Sequence, residues 1–293
     1  MTSTRRRILA TLVTPIERLT SPAHRLLSRR LAPRPADLDA APAGASVHPE
    51  AELYVGGSGP VGVLLCHGFS GSPKSMRPWA DHLEAAGYRV SLPRLPGHGT
   101  TWTELNLTTW PDWYAAVERA FVALEGECEQ VFVVGLSMGG ALALRLAEQL
   151  GPRVAGLVLV NPVIHSDDPR IKILFALRVL GSLGGIANDI AKPGVDECGY
   201  TRTPLHALYS QTHMWRDIVD HLDRVDQPVL VFRSIHDHIG DPSSVALLKK
   251  GLRSADQSYV ELPRSYHVAT LDYEANDIFD GSVKFIRRLA AAH

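Results

Sequence analysis

From Val61 onward the apolar positions of the chain fall into two alternating patterns. Short continuous apolar runs, at 61–66, 88–92, 131–136, 154–160, 229–233 and 259–262, have strand length and are rich in β-branched and aromatic residues. An unbroken apolar run suits a strand covered on both faces of a parallel sheet, because a strand with one wet face would alternate apolar and polar positions. Between the runs, residues 75–86, 110–125, 138–150 and 243–252 carry apolar side chains at helical spacing, and a further such stretch, 276–289, follows the last run. Strand alternating with helix predicts an α/β domain built on a mostly parallel, doubly wound sheet.

One interval breaks the rhythm. Residues 163–223 show no strand pattern, only a mixed apolar and polar stretch containing Gly181, Gly184, Gly185, Pro193 and Pro204. An insertion between two strands of such a sheet lies at the carboxyl edge, where ligands bind, so a helical cap or lid is expected there. The chain before the first run differs again. Residues 31–46 are rich in Pro and Ala and predict a linker, and residues 1–35 hold eight Arg against one Glu. Ile8, Leu9, Leu12, Val13, Ile16 and Leu19 fall on one helical face. The apolar stretch after Arg5, Arg6 and Arg7 is too short for an export signal, and Pro15 interrupts it. A basic amphipathic segment suits peripheral contact with an anionic membrane surface; a solvated extension accounts for the same residues, and both readings stand. The expected organisation is an extension and linker over 1–45 and one α/β domain over 46–293, with its cap at about 163–223.

Composition narrows the function. The 293 residues are 45% apolar and 21% charged with a net charge of −1, which suits one large core and argues against nucleic acid as a partner, since phosphate binding needs a basic surface. Cys66, Cys128 and Cys198 are widely spaced and odd in number, so neither a disulfide framework nor a zinc site is expected, and no cofactor is implied. Three small buried thiols in a reducing, cytoplasmic setting explain them, with Cys66 beside the candidate site described next.

The sharpest local signal is Gly135-Leu136-Ser137-Met138-Gly139, placed between an apolar run and a helical stretch. Flanking glycines allow a cramped strand-to-helix turn on which the serine oxygen projects, and the following helix aims its free N–H groups at developing negative charge. Ser137 is the expected nucleophile. A hydroxyl needs a base, and in this arrangement an acid and then a histidine follow the serine in the chain. The acid belongs in the loop after a later strand: Asp237 is the expected residue and Asp241, at an expected helix start, the second choice. Of thirteen histidines, His267 lies in a loop directly after the last strand. His236 and His238 flank the acid, His206, His213 and His221 belong to the insertion, and His293 is terminal. The expected oxyanion donors are the backbone N–H groups of Met138 and of Phe69, in the loop after the first central strand. His67 precedes the serine and is expected to shape that loop by hydrogen bonding, and Pro96-Gly97-His98-Gly99 to form a tight turn.

Four segments carry a resemblance: H-G-F-S-G-S-P-K-S-M-R-P from His67, L-P-R-L-P-G-H-G-T from Leu92, G-L-S-M-G-G from Gly135 and S-Y-H-V-A-T-L-D-Y from Ser265. Together they resemble the bacterial monoacylglycerol lipases and carboxylesterases of the α/β-hydrolase superfamily over most of the chain beyond Val61. The resemblance implies an α/β-hydrolase fold and an acyl-enzyme mechanism in which Asp237 orients His267. The implied substrates are glycerol monoesters and short or medium acyl esters, and a lipid or small acyl ester is the expected partner. An acyltransferase with an alcohol acceptor, or a catalytically weak ligand-binding protein on the same fold, are the alternatives. The insertion departs from the family pattern, so no substrate-binding residue is carried over. Ile171, Ile173, Leu174, Phe175, Leu177, Val179 and Leu180 suit either the wall of an acyl tunnel or the underside of a helix packed on the sheet.

Overall fold

The computed structural model describes residues 46–185 and 188–291. The expected amphipathic segment and most of the linker lie outside them. A seven-stranded sheet has the order β1-β3-β2-β4-β5-β8-β9. Its strands are β1 (Tyr54–Gly56), β2 (Val61–Cys66), β3 (Arg89–Leu92), β4 (Gln130–Leu136), β5 (Val154–Val160), β8 (Val229–Ser234) and β9 (Gln257–Leu262). All neighbours pair parallel except β1, which runs antiparallel to β3 at one edge.

Side-chain alternation along the central strands explains why they are apolar throughout. Leu64, Val133, Leu157 and Leu159 point into one core. Val63, Leu65, Phe132, Val134, Val158 and Val160 point into the other. Each strand is therefore buried twice, which only layers of helices on both faces can provide. One layer consists of α3 (Trp110–Glu125), α4 (Met138–Leu150) and α8 (Ser243–Gly251), the other of α1 (Arg77–Ala85) and α9 (Ala275–Ala290); the short α2 (Trp102–Leu105) precedes α3. The helix starts are written in the sequence: Thr109 and Asp112 form a reciprocal capping box on α3, with Pro111 in its first turn. α9 buries Ile278, Phe279, Val283, Phe285 and Ile286 along a single stripe and leaves its charged residues to solvent.

The expected strands and helices all form, with ends displaced by two residues or fewer. The edge strand β1 is additional to them, three residues being too few to show a period. One expectation is corrected. The stretch between β5 and β8, expected to lack strands, contains a two-stranded antiparallel sheet of β6 (Ser182–Gly184) and β7 (Arg202–Pro204) beside α5 (Pro169–Lys172), α6 (Leu174–Leu177) and α7 (Leu205–Val219). α7 buries Met214 and Ile218 in the core that α4 shares, and Arg145 of α4 bonds Asp217 of α7 at 2.9 Å. The apolar residues between Ile171 and Leu180 do not form, as a group, the underside of a packed helix. Leu174 is buried, whereas Ile173, Phe175, Val179 and Leu180 are 55–83% exposed.

Candidate active site

At the carboxyl end of β4 the chain turns into α4 within one residue, and that residue is Ser137, with φ 56° and ψ −118°. This is a strained conformation for a residue with a Cβ, and close packing holds it there. A Cβ on Gly139 would run into the carbonyl of Cys66, and one on Gly135 into the carbonyl of Gly139. Both glycines are thus required by close backbone contact. Ser137 N donates to Val160 O at 2.9 Å and Val163 N to Ser137 O at 3.4 Å, so the elbow is stitched to the end of β5. Met138 is the first residue of α4, whose leading N–H groups have no acceptor within the helix.

The loop after β2 runs alongside. A Cβ on Gly68 would sit 3.4 Å from Ser137 Cβ, so the segment from Gly68 to Phe69 lies against the serine. His67 is fully buried; its Nε2 accepts from Leu95 N at 3.1 Å, which leaves Nδ1 as the donor to Gly68 O at 3.0 Å. Burial lowers its pKa to about 4, so the ring is a neutral brace for this loop, as expected. His98 is likewise buried, held at Pro96 O and depressed by burial and by His67. Phe69 packs edge-on against His98 and Trp113 at centroid distances of 6.4 and 5.9 Å.

Two further loops of the same edge meet at a buried ion pair. His267 Nδ1 lies 2.9 Å from both carboxylate oxygens of Asp237, with the two side chains 6% and 9% exposed. Burial opposes charge on both groups, yet each stays nearer its charged form. Asp237 is lowered because the His267 charge and hydrogen bond and the amides of Gly240 and Ile239 outweigh desolvation. His267 is raised because Asp237 outweighs desolvation, with Glu197 and Asp189 adding to it. With Nδ1 committed to Asp237, Nε2 is the ring atom left for proton transfer. Asp241, the second choice, accepts from Asp167 N at 2.7 Å and Ser243 N at 2.9 Å; it fastens the start of α8 and is not the partner of His267.

Several residues here escaped sequence reasoning. Asn161, at the end of β5 with φ 44°, accepts from Ser234 N at 2.7 Å and donates to His267 O at 2.7 Å, joining three strand ends. Buried Glu274 takes the N–H groups of Arg264 and Ser265 and the Ser265 hydroxyl, and buried Asp272 takes that of Tyr266. Glu197, in the stretch between β5 and β8, accepts from Asn188 N at 3.0 Å while its other oxygen lies against Gly71. Burial raises its pKa. No motif marks any of these.

Cys66 is fully buried and burial pushes its thiol up, which makes it inert. One group of metal-type donors occurs among the described residues: His48, Glu50 and Cys198 within 4.8 Å of one another. Lys74 Nζ lies 2.8 Å from Glu50 Oε2 and 3.1 Å from Cys198 Sγ, so an ammonium already takes the place of a cation. A cavity of about 360 Å³ on this side is lined by Glu50, Lys74, Arg77 and Asp196 and contains neither Ser137 nor His267.

The fold is shared with known proteins. The description "Alpha/beta hydrolase family" matches residues 63–282. The thermostable monoacylglycerol lipase of Bacillus sp. (strain H-257) is 40% identical over 246 residues, covering 82% of this chain and 96% of that one. The carboxylesterase of Bacillus subtilis (strain 168) is 26% identical over 78% of this chain and 92% of its own. A solved structure from work on the metagenome-derived lipolytic enzymes LipS and LipT superposes with a TM-score of 0.81 at 38% identity, over 83% of this chain and 100% of that one.

Proposed function

This chain belongs to the alpha/beta hydrolase family and is a carboxylic ester hydrolase, and from that premise we propose that Ser137, His267 and Asp237 are its catalytic triad and that monoacylglycerols and short or medium acyl esters are its substrates. The observation that carries the assignment is the buried His267–Asp237 pair, 2.9 Å apart, on the sheet edge where Ser137 is held on its elbow.

In this reading Ser137 Oγ attacks the ester carbonyl as His267 Nε2 takes its proton. The new tetrahedral oxygen accepts hydrogen bonds from the N–H groups of Phe69 and Met138. Collapse breaks the C–O bond, and the imidazolium returns the proton to the leaving alcohol. Water then repeats the sequence on the acyl-serine and releases the acid. Asp237 holds the ring by Nδ1 and stabilises the imidazolium throughout. The head group is read by Glu197, a carboxylate with one oxygen against Gly71 of the oxyanion loop and a charge that acts on His267.

The stretch between β5 and β8 acts as the cap. Its exposed Ile173, Phe175, Val179 and Leu180, interleaved with Lys172 and Arg178, suit peripheral contact with an anionic lipid surface. Among the described residues no helix is long and apolar enough to cross a membrane.

A fluorophosphonate probe is expected to label Ser137, read by peptide mass spectrometry, and Ser137→Ala to abolish turnover of a chromogenic ester. Retained turnover in that variant overturns the triad. Glu197→Gln is expected to raise KM for monoacylglycerols while leaving simple alkyl esters little changed.

A further inference from the structure

Asp189 comes from the stretch between β5 and β8, 78 residues before His267 in the chain, yet its Oδ2 accepts from His267 N at 3.1 Å. The same carboxylate takes the ring of His238 at 2.8 Å and His238 N at 3.3 Å, and the Asp189 carbonyl takes Val268 N at 3.0 Å. His238 adjoins Asp237 in the chain, and its ring is closed on the other side by Tyr266, edge-on at 4.5 Å. One carboxylate, itself 8% exposed, thus grips both loops that supply the buried ion pair. The grip is returned: Asp272, from the His267 loop, accepts from Ala191 N at 2.7 Å and Lys192 N at 3.0 Å, three residues or fewer beyond Asp189, while also holding Tyr266 N at 2.9 Å.

Resting on the triad assignment above, we propose that Asp189 is a positioning residue of the hydrolytic reaction, which sets His267 against Asp237 from the cap and makes the placement of the cap and the alignment of the proton relay one structural event. A carboxylate is suited to this because it accepts several N–H groups at once from different loops, and charge-assisted bonds are the stronger kind. Its charge also faces an imidazole that becomes cationic in the transition state, beside the charges of Asp237 and Glu197. Removing that charge while keeping the shape should disfavour the imidazolium.

A purely fastening role predicts lost stability with an unaltered titration of His267; a positioning role predicts a changed titration. For Asp189→Asn in the full chain, kcat on a chromogenic ester is expected to fall about tenfold or more with KM within about threefold, because small misplacements of a reacting group cost rate rather than binding. The acidic limb of kcat/KM is expected to move to lower pH. Unchanged kcat overturns the proposal, and so does a lost kcat with an unmoved acidic limb. Should Asp189→Asn fail to fold, the exposed His238 decides. His238→Ala should lower kcat a few-fold and His238→Gln, which can still donate to Asp189, should restore it; no loss in His238→Ala overturns the proposal. Ser137→Ala and His267→Ala run in parallel separate the two levels. If either retains turnover the triad fails, whereas inactive triad variants beside a wild-type Asp189→Asn remove only the role of Asp189.

Discussion

The elbow of Ser137 and the loop of His267 bring side chains to the same sheet edge by opposite means. The elbow is held by close contact: two glycines within four residues of each other pass backbone against backbone, with the Cys66 carbonyl as the outside wall. The His267 loop, residues 263–273, contains no glycine. Residues 263–273 are held through their amides by Glu274, Asp272 and Asp189, and the His267 carbonyl by Asn161. Steric constraint of the first kind tolerates no added atom, whereas the polar network of the second kind should yield in graded steps as acceptors are removed.

The largest expected effect separates chemistry from either scaffold. Asp237→Asn should lower kcat by on the order of 10³–10⁴ while the melting temperature stays within a few degrees, because it spoils the tautomer of His267 and not the fold. In the proposed triad only a neutral His267 can accept the serine proton. Its pKa lies above the ordinary histidine value, so kcat/KM should fall as pH drops through that raised value, and Asp237→Asn should carry this limb downward.

Next comes the elbow itself. Gly139→Ala puts a methyl group into a backbone carbonyl that cannot swing away, and should cost about 3 kcal/mol or more. Calorimetry should show a melting temperature lower by roughly 6–12 °C, with slowed fluorophosphonate labelling. A tolerated Gly139→Ala would mean that the elbow is not sterically set.

The His267 loop should respond less steeply. Asn161→Ala strands buried Ser234 N and the His267 carbonyl, for about 1–3 kcal/mol of stability, and should lower kcat more than it alters KM. Glu274→Gln is the mildest, at about 1–2 kcal/mol, since one amide oxygen still serves either Arg264 or Ser265; faster amide hydrogen exchange at Ser265 is the measurement. Equal, all-or-none losses in Asn161→Ala and Glu274→Gln would erase the distinction between the two regions.

The contrast also explains what could be read in advance. β2, β4, β5 and their helices were legible because burial on two faces leaves unbroken apolar runs, and α3 and α9 because their stripes repeat over sixteen residues each. β1, β6 and β7 were not, since three residues are too few to show a period. The exposed Ile173, Phe175, Val179 and Leu180 defeated the reading of that stretch as the underside of a helix packed on the sheet.

By itself the sequence determined the order of the longer strands and helices and the elbow at Ser137, and it pointed to Asp237, with Asp241 second, as the partner of His267, because these follow from patterns in consecutive residues and from one rule of chain order. Only the tertiary structure decided that Asp189, Asn161, Asp272 and Glu274 hold the His267 loop and that Asp241 does not. A carboxylate or amide side chain bonds whatever backbone the fold brings within about 3 Å, and for Asp189 and His267 that meeting spans 78 positions with no local signature to announce it.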